Sequence, residues 1–226
     1  IFIDIPKTGS ESMRRALLPF CDHDAIFRND APPRFGDSLL HKSRLCKNFE
    51  CTSDKCWGID FKSGHWQHKS VYDHIEKYGI DIVRDYFIFA IVRNPFEKIV
   101  SELLQNKMSV EKLEEISLRP WDKTVRWMYS NIEWLLPEHE SKFNLDLSLI
   151  NFISYYEKDL SSTFDFIKKR VGLPSDISLK HYHKTDLCEN KKHYSEFFSK
   201  ELRDKIWEYP TMQLERRIFN WEFNET

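Results

Sequence analysis

Tyr86-Phe87-Ile88-Phe89-Ala90-Ile91-Val92 is continuously apolar with no alternation, and Arg93-Asn94-Pro95-Phe96-Glu97-Lys98-Ile99-Val100-Ser101 follows it directly. A short run of this kind predicts a strand buried on both faces, as at the centre of a parallel sheet. Pro95 stands where the first turn of a helix belongs, and that helix is expected to reach about Asn106. Arg93 therefore emerges at the carboxyl end of a central strand, the edge at which open α/β sheets bind ligands. Ser101 lies eight residues further on, about two helical turns. The pair is placed to flank one phosphate, for which Arg offers a planar, bidentate grip.

Upstream, Ile1–Ile5 reads as a second buried strand ended by Pro6, and Glu11–Leu18 as a helix with Ser10 as cap and Pro19 as stop. The loop between them, Pro6-Lys7-Thr8-Gly9-Ser10-Glu11-Ser12, aims backbone N–H groups and a helix N-terminus at one spot, an anion site. Lys7 supplies a point charge, Thr8, Ser10 and Ser12 supply hydroxyls, and Gly9 permits close backbone approach. An ATP-type loop places Lys after its second Gly, whereas here Lys7 precedes Gly9. The plainer alternative is a strand-to-helix turn with good caps.

Further along, Trp57–Phe61 suggests a short strand, Lys69–Lys77 a helix closed by Gly79, Leu149–Tyr155 another strand, and Leu160–Val171 an amphipathic helix ended by Gly172. Residues 109–137 read as two helical pieces broken at Pro120, with Trp127, Trp134 and Leu135 as core candidates. The last forty residues read as mostly helical. Strands alternating with helices predict an α/β fold, a central parallel sheet flanked by helices with a helical C-terminal third, in a single domain over 1–226.

Composition narrows the function. With 34 Lys+Arg against 36 Asp+Glu, the net charge of −2 gives no overall field toward nucleic acid or membrane. The 15% aromatic content is too apolar for intrinsic disorder. No run approaches the ~20 apolar residues of a membrane span, so no membrane contact is expected within this chain. It opens at Ile1 without Met, inside an apolar run, and reads as a piece of a longer protein whose anchor or targeting segment lies outside it. Among five cysteines, Cys46, Cys51 and Cys56 cluster with His41 at five-residue steps, longer than the two to four typical of paired zinc ligands. A loop disulfide is the expectation, no metal, with pairing open among these three, Cys21 and Cys188. The sequon Asn224-Glu225-Thr226 adds to a secretory reading.

The Lys7–Ser12 and Arg93–Ser101 segments, in this order, resemble the two cofactor signatures of sulfotransferases that use 3′-phosphoadenosine-5′-phosphosulfate (PAPS) and release PAP. The resemblance implies a sulfotransferase fold like that of the P-loop NTPases. It assigns the 5′-phosphosulfate to Lys7, Thr8, Gly9, Ser10, Glu11 and Ser12, and the 3′-phosphate to Arg93 and Ser101. The Ile5-Pro6-Lys7-Thr8-Gly9 form is similar to the Golgi carbohydrate branch. Phe61-Lys62-Ser63-Gly64-His65-Trp66 resembles the His-bearing stretch of uronyl and heparan sulfate 2-O-sulfotransferases, although Ser63 stands where those enzymes carry another His. The likeness makes His65 the general base, a role suited to a group titrating near neutrality, with His68 and His74 as rivals. His181-Tyr182-His183-Lys184-Thr185 is similar to the family's late loop and offers Lys184 and Thr185 to the nucleotide.

The resemblance thus implies in-line sulfuryl transfer without a metal to a hydroxyl of a glycosaminoglycan or other glycan. Lys7 stabilises the leaving oxygen, and the setting is the Golgi lumen, as the luminal domain of a type II membrane protein. From the residues alone, Arg28, Arg34, Lys42, Arg44 and Lys47 either read an anionic polysaccharide by charge or form a solvated loop. Trp66 and Trp121 are candidates to stack on sugar rings, with Trp127 better suited to the core. The rivals are a small-molecule kinase, a catalytically silent nucleotide- or glycan-binding scaffold, and a sulfotransferase for a non-glycan acceptor. The kinase lacks its Gly-Lys-Ser/Thr ending and Mg²⁺ ligands in this sequence.

Overall fold

The computed structural model describes residues 1–17, 20, 70–105, 109, 111–112, 115, 130–135, 147–180 and 193–223. Its sheet has the order β1 (Phe2–Ile3), β2 (Phe89–Val92), β3 (Phe152–Tyr155), and both pairings are parallel. Phe89 stands between Phe2 and Phe152 across the three strands, and Val92 pairs with Tyr155. The last four residues of the continuous apolar run are thus the central strand, and all four are buried, as the lack of alternation predicts. The strand is shorter than the run: Tyr86–Ile88 precede it, and Tyr86 is exposed.

The helices of the described residues are α1 (Ser10–Leu17), α2 (Val71–Tyr78), α3 (Ile80–Arg84), α4 (Pro95–Gln105), α5 (Ile132–Leu135), α6 (Leu160–Val171), α7 (Lys200–Trp207) and α8 (Pro210–Phe219). Alternate residues of β2 divide between two apolar layers. Phe89 and Ile91 pack with Met13 of α1 and Leu160, Phe164 and Ile167 of α6. Ala90 and Val92 pack with Val71 and Ile75 of α2, Trp134 and Leu135 of α5 and Phe219 of α8. Helices therefore cover both faces, the α/β arrangement expected from the sequence. A third cluster joins α4 to the C-terminal helices, with Phe96 at its centre edge-on to Phe198, Trp207 and Phe223. Complete burial of such a ring contributes on the order of 1.5–3 kcal/mol.

Local chemistry sets most of the boundaries. Ser70 and Asp73 form a reciprocal capping box at the start of α2, and the Gly79 N–H closes its end on the Ile75 carbonyl. The Asn94 side chain accepts from the Phe96 N–H at 3.0 Å, which caps α4 in front of Pro95. The first strand is shorter than the apolar run, although Ile3 and Ile5 are both fully buried. Ser10 differs from expectation: it is the first residue of α1, and the Gly9 carbonyl accepts from the Ser12 and Met13 N–H groups. Leu147–Leu149 forms a 3₁₀ turn before β3, so the third strand starts later than the sequence suggests. The suggested strand at Trp57–Phe61, the break at Pro120, Trp66, Trp121 and Trp127, the basic residues at 28–47, all five cysteines and the sequon lie outside the described residues.

Candidate nucleotide site

Parallel strands end on one edge, and here three chain turns meet there. Beyond β1, Lys7 adopts φ 64° and Gly9 φ 73°, so the loop doubles back before α1 begins. For Lys7 the left-handed conformation is disfavoured by about 1 kcal/mol. Gly9 is required on a second ground as well: a Cβ there would lie 2.9 Å from both Leu160 Cδ2 and Tyr156 Cε2. Thr8 is completely buried and its hydroxyl donates to the Ile5 carbonyl at 2.8 Å, which ties the turn together. Ser10 and Ser12 are buried in the first turn of α1. The Gly9 carbonyl takes the Ser12 and Met13 amides, and the Ser10 and Glu11 amides ahead of them have no acceptor within the helix. Glu11 shares that turn, and its side chain lies outside the described residues.

Beyond β2, Arg93 reaches back over this loop. Its Nη1 donates to the Lys7 carbonyl at 3.1 Å, its Nε pairs with Glu97 at 3.0 Å, and its guanidinium lies 4.3 Å from the centre of the Tyr156 ring. A cation over an aromatic face contributes about 0.5–2 kcal/mol. Tyr156 follows β3, so its ring touches the loop after the first strand and the guanidinium after the second. The Lys7 side chain crosses to α4, where its ammonium meets Glu102 at 2.6 Å and the side-chain oxygen of Gln105. Ser101, buried on α4, adjoins Glu102 in the chain.

The two expected signatures are thus joined by a backbone contact and by the reach of the Lys7 side chain. Both cations already grip carboxylates, which is the chemistry they offer a phosphate or sulfate. With the α1 amides they gather groups able to donate to an anion at this edge of the sheet. A third carboxylate, Glu157, accepts from the Asn94 N–H at 2.7 Å. Burial pushes its carboxyl above the ordinary range, and nearby Glu97 adds to this against the pull of the Asn94 amide and Arg93. His65, Lys184 and Thr185, and the rival His68, lie outside the described residues. His74 is buried on α2 and stacked on Tyr78.

A buried group behind Arg93 is absent from the sequence reading. Asn131, fully buried, accepts from the Arg93 N–H at 3.2 Å and donates to the Arg93 carbonyl at 2.9 Å. Glu215 of α8, also fully buried, accepts from Ser130 Oγ, Asn131 N, Asn131 Nδ2, Ile132 N and Trp221 Nε1. Lys98 of α4 donates to the Ser130 carbonyl at 3.3 Å and to Asn131 Oδ1 at 3.4 Å. Burial lowers its pKa to about 7, against the attraction of Glu215 and with some repulsion from Arg93. A signal existed: Glu215 falls on the stripe of α8 that buries Thr211, Met212 and Phe219, where a carboxylate needs internal donors.

The chain matches the Sulfotransferase family over residues 1–169, and it belongs to that family. It is therefore a transferase of the sulfotransferase class, and membership implies PAPS as donor. An uncharacterized protein of Archaeoglobus fulgidus is 28% identical over 102 residues, which span 45% of this chain and 81% of that relative. No solved structure matches the chain.

Proposed function

We propose that this sulfotransferase moves the sulfuryl group of PAPS to a hydroxyl of a carbohydrate, a glycosaminoglycan or another glycan, in the manner of the uronyl and heparan sulfate 2-O-sulfotransferases. The observation that carries the reading is the contact of the Arg93 guanidinium with the Lys7 carbonyl, which brings together two cation-bearing segments 86 residues apart. PAPS supplies an activated sulfuryl group and leaves as PAP.

The residues of this chain divide the work. Lys7 and the first-turn amides of α1 stabilise negative charge on the oxygen that leaves sulfur, a preorganised electrostatic role. Arg93 and Ser101 bind the 3′-phosphate, which separates this donor from ATP. His65 accepts the proton of the acceptor hydroxyl as it attacks from the opposite side. Lys184 and Thr185 close over the nucleotide. The resemblance, the cysteines and the sequon support a Golgi lumenal setting for the protein.

The test is transfer of radiolabelled sulfate from PAPS to a panel of desulfated glycosaminoglycans, other glycans and peptides, with His65→Ala and Arg93→Ala alongside. Label entering one glycan class and vanishing with His65→Ala supports the reading. Label entering only peptides overturns the carbohydrate assignment. PAP binding without transfer to any acceptor favours a silent relative, and unchanged PAP binding in Arg93→Ala removes Arg93 from the nucleotide site.

A further inference from the structure

We propose that Asn131 is a positioning residue for the nucleotide: it fixes the backbone of Arg93, and Glu215 in turn fixes the Asn131 amide. The inference rests on the assignment of Arg93 to the nucleotide proposed above.

Arg93 is the first residue past the end of β2, where the ladder no longer holds the chain. The Asn131 side chain substitutes for a neighbouring strand at this point, accepting from the Arg93 N–H and donating to the Arg93 carbonyl. An amide side chain carries two donor hydrogens and an acceptor oxygen with two lone pairs. Here the Nδ2 donates to the Arg93 carbonyl and to Glu215 Oε2, both at 2.9 Å. The Oδ1 accepts from the Arg93 N–H and from the Lys98 ammonium. All four positions are in use, so the amide has one orientation, and a rotation by half a turn would set donors against donors.

Glu215 enforces that orientation. Its Oε1 takes the Asn131 and Ile132 N–H groups and the Ser130 hydroxyl, and its Oε2 takes the Asn131 amide and, at 3.1 Å, the Trp221 indole. Five donors satisfy a carboxylate that has no access to water. The C-terminal helix α8 thereby reaches the site edge through two side chains. A fixed Arg93 backbone gives its guanidinium one path to the Lys7 carbonyl, Glu97 and Tyr156. Preorganisation of this kind strengthens ligand binding because the ordering has already occurred in the folded protein.

The experiment is a double-mutant cycle on PAP binding, measured by calorimetry on Asn131→Ala, Arg93→Ala and the double variant, with PAPS and acceptor KM values for Asn131→Ala. Asn131→Ala is expected to weaken PAP by about tenfold or more, to raise the KM for PAPS, and to leave the acceptor KM unchanged. In the Arg93→Ala background the same substitution is expected to change PAP affinity by less than about twofold. Should Asn131→Ala not fold, Asn131→Ser, which leaves a smaller cavity and keeps one hydrogen-bonding group, enters the same cycle. Unchanged PAP affinity in the folded Asn131 variant, or an equal loss with and without Arg93, overturns the proposal. If Arg93→Ala itself leaves PAP binding unchanged, the nucleotide assignment fails first, and the proposal with it.

Discussion

The Nη1 of Arg93 donates to the carbonyl of Lys7 at 3.1 Å, so the charged residue after the central strand clamps the backbone of the charged residue after its neighbour. The carbonyl that Arg93 takes belongs to a residue at φ 64°, and the contact helps hold that conformation. The loop and the cation are therefore one unit, and substitutions on either side are expected to show it.

Replacing Lys7 separates its charge from its backbone. Lys7→Ala and Lys7→Gly both lose the ammonium, and each is expected to lower kcat by roughly 100-fold, the effect of removing one preorganised donor. Lys7→Gly is expected to melt no lower than Lys7→Ala, because glycine accepts the left-handed φ that alanine resists. Turnover within a fewfold of the parent in either variant would take Lys7 out of the chemistry.

Gly9→Ala brings a methyl group to 2.9 Å from the Tyr156 ring and from Leu160, at a φ of 73°. Urea unfolding is expected to show a loss of about 1–3 kcal/mol. Weaker PAP binding should accompany it, since the Tyr156 ring that must move also carries Arg93. A variant as stable as the parent would show that the Gly9 contact is loose.

Glu102 neutralises the Lys7 ammonium at 2.6 Å, with both side chains 15% exposed. An incoming anion has to replace that carboxylate. Glu102→Gln is expected to tighten PAP binding by about fivefold, the equivalent of roughly 1 kcal/mol for a partly exposed pair. Weaker binding in this variant would make Glu102 a support for Lys7 instead of a competitor.

Lys98 gives the fold a pH dependence. Its pKa is about 7 in the folded protein against 10.5 for the ordinary side chain, so between these values the unfolded chain binds a proton that the native state has released. Stability from this group therefore rises with pH above about 7, by at most about 1.4 kcal/mol per pH unit, and is flat below that value. Urea melts at pH 7 and pH 9 should show a steeper gain for the parent than for Lys98→Met. Equal slopes in the two proteins would mean that Lys98 keeps its proton when buried.

Much of this was legible in the chain itself. The Tyr86–Val92 run identifies the centre of the sheet, formed by its last four residues, because a strand covered on both faces has no polar alternation to show. Pro95 marks the start of α4 through its fixed φ, and Gly172 marks the end of α6, both local effects that act within a few residues. The Lys7 and Arg93 segments stand out because anion chemistry draws on few residue types. The partners of those cations were not legible. Glu102, Gln105, Tyr156 and Asn131 have no special spacing from Lys7 or Arg93, and each looks like an ordinary surface or helix residue until the elements pack. Glu215 stands out only as a carboxylate on an apolar helix stripe, with nothing in the chain to name its partner.

By itself, the sequence determined which segments become strands and helices, and which side chains can hold an anion, because hydrophobic period, caps and charge type are properties of neighbours in the chain. Tertiary structure decided that the Lys7 ammonium rests on α4, that Arg93 lies between the Lys7 carbonyl and Tyr156, and that a glutamate near the C-terminus orients the amide behind them. Those contacts join residues 84 to 98 positions apart in three cases, and hydrogen bonds and ion pairs depend on separation in space. Only the parallel pairing of three strands brings their carboxyl ends to one edge, and the site exists where those ends meet.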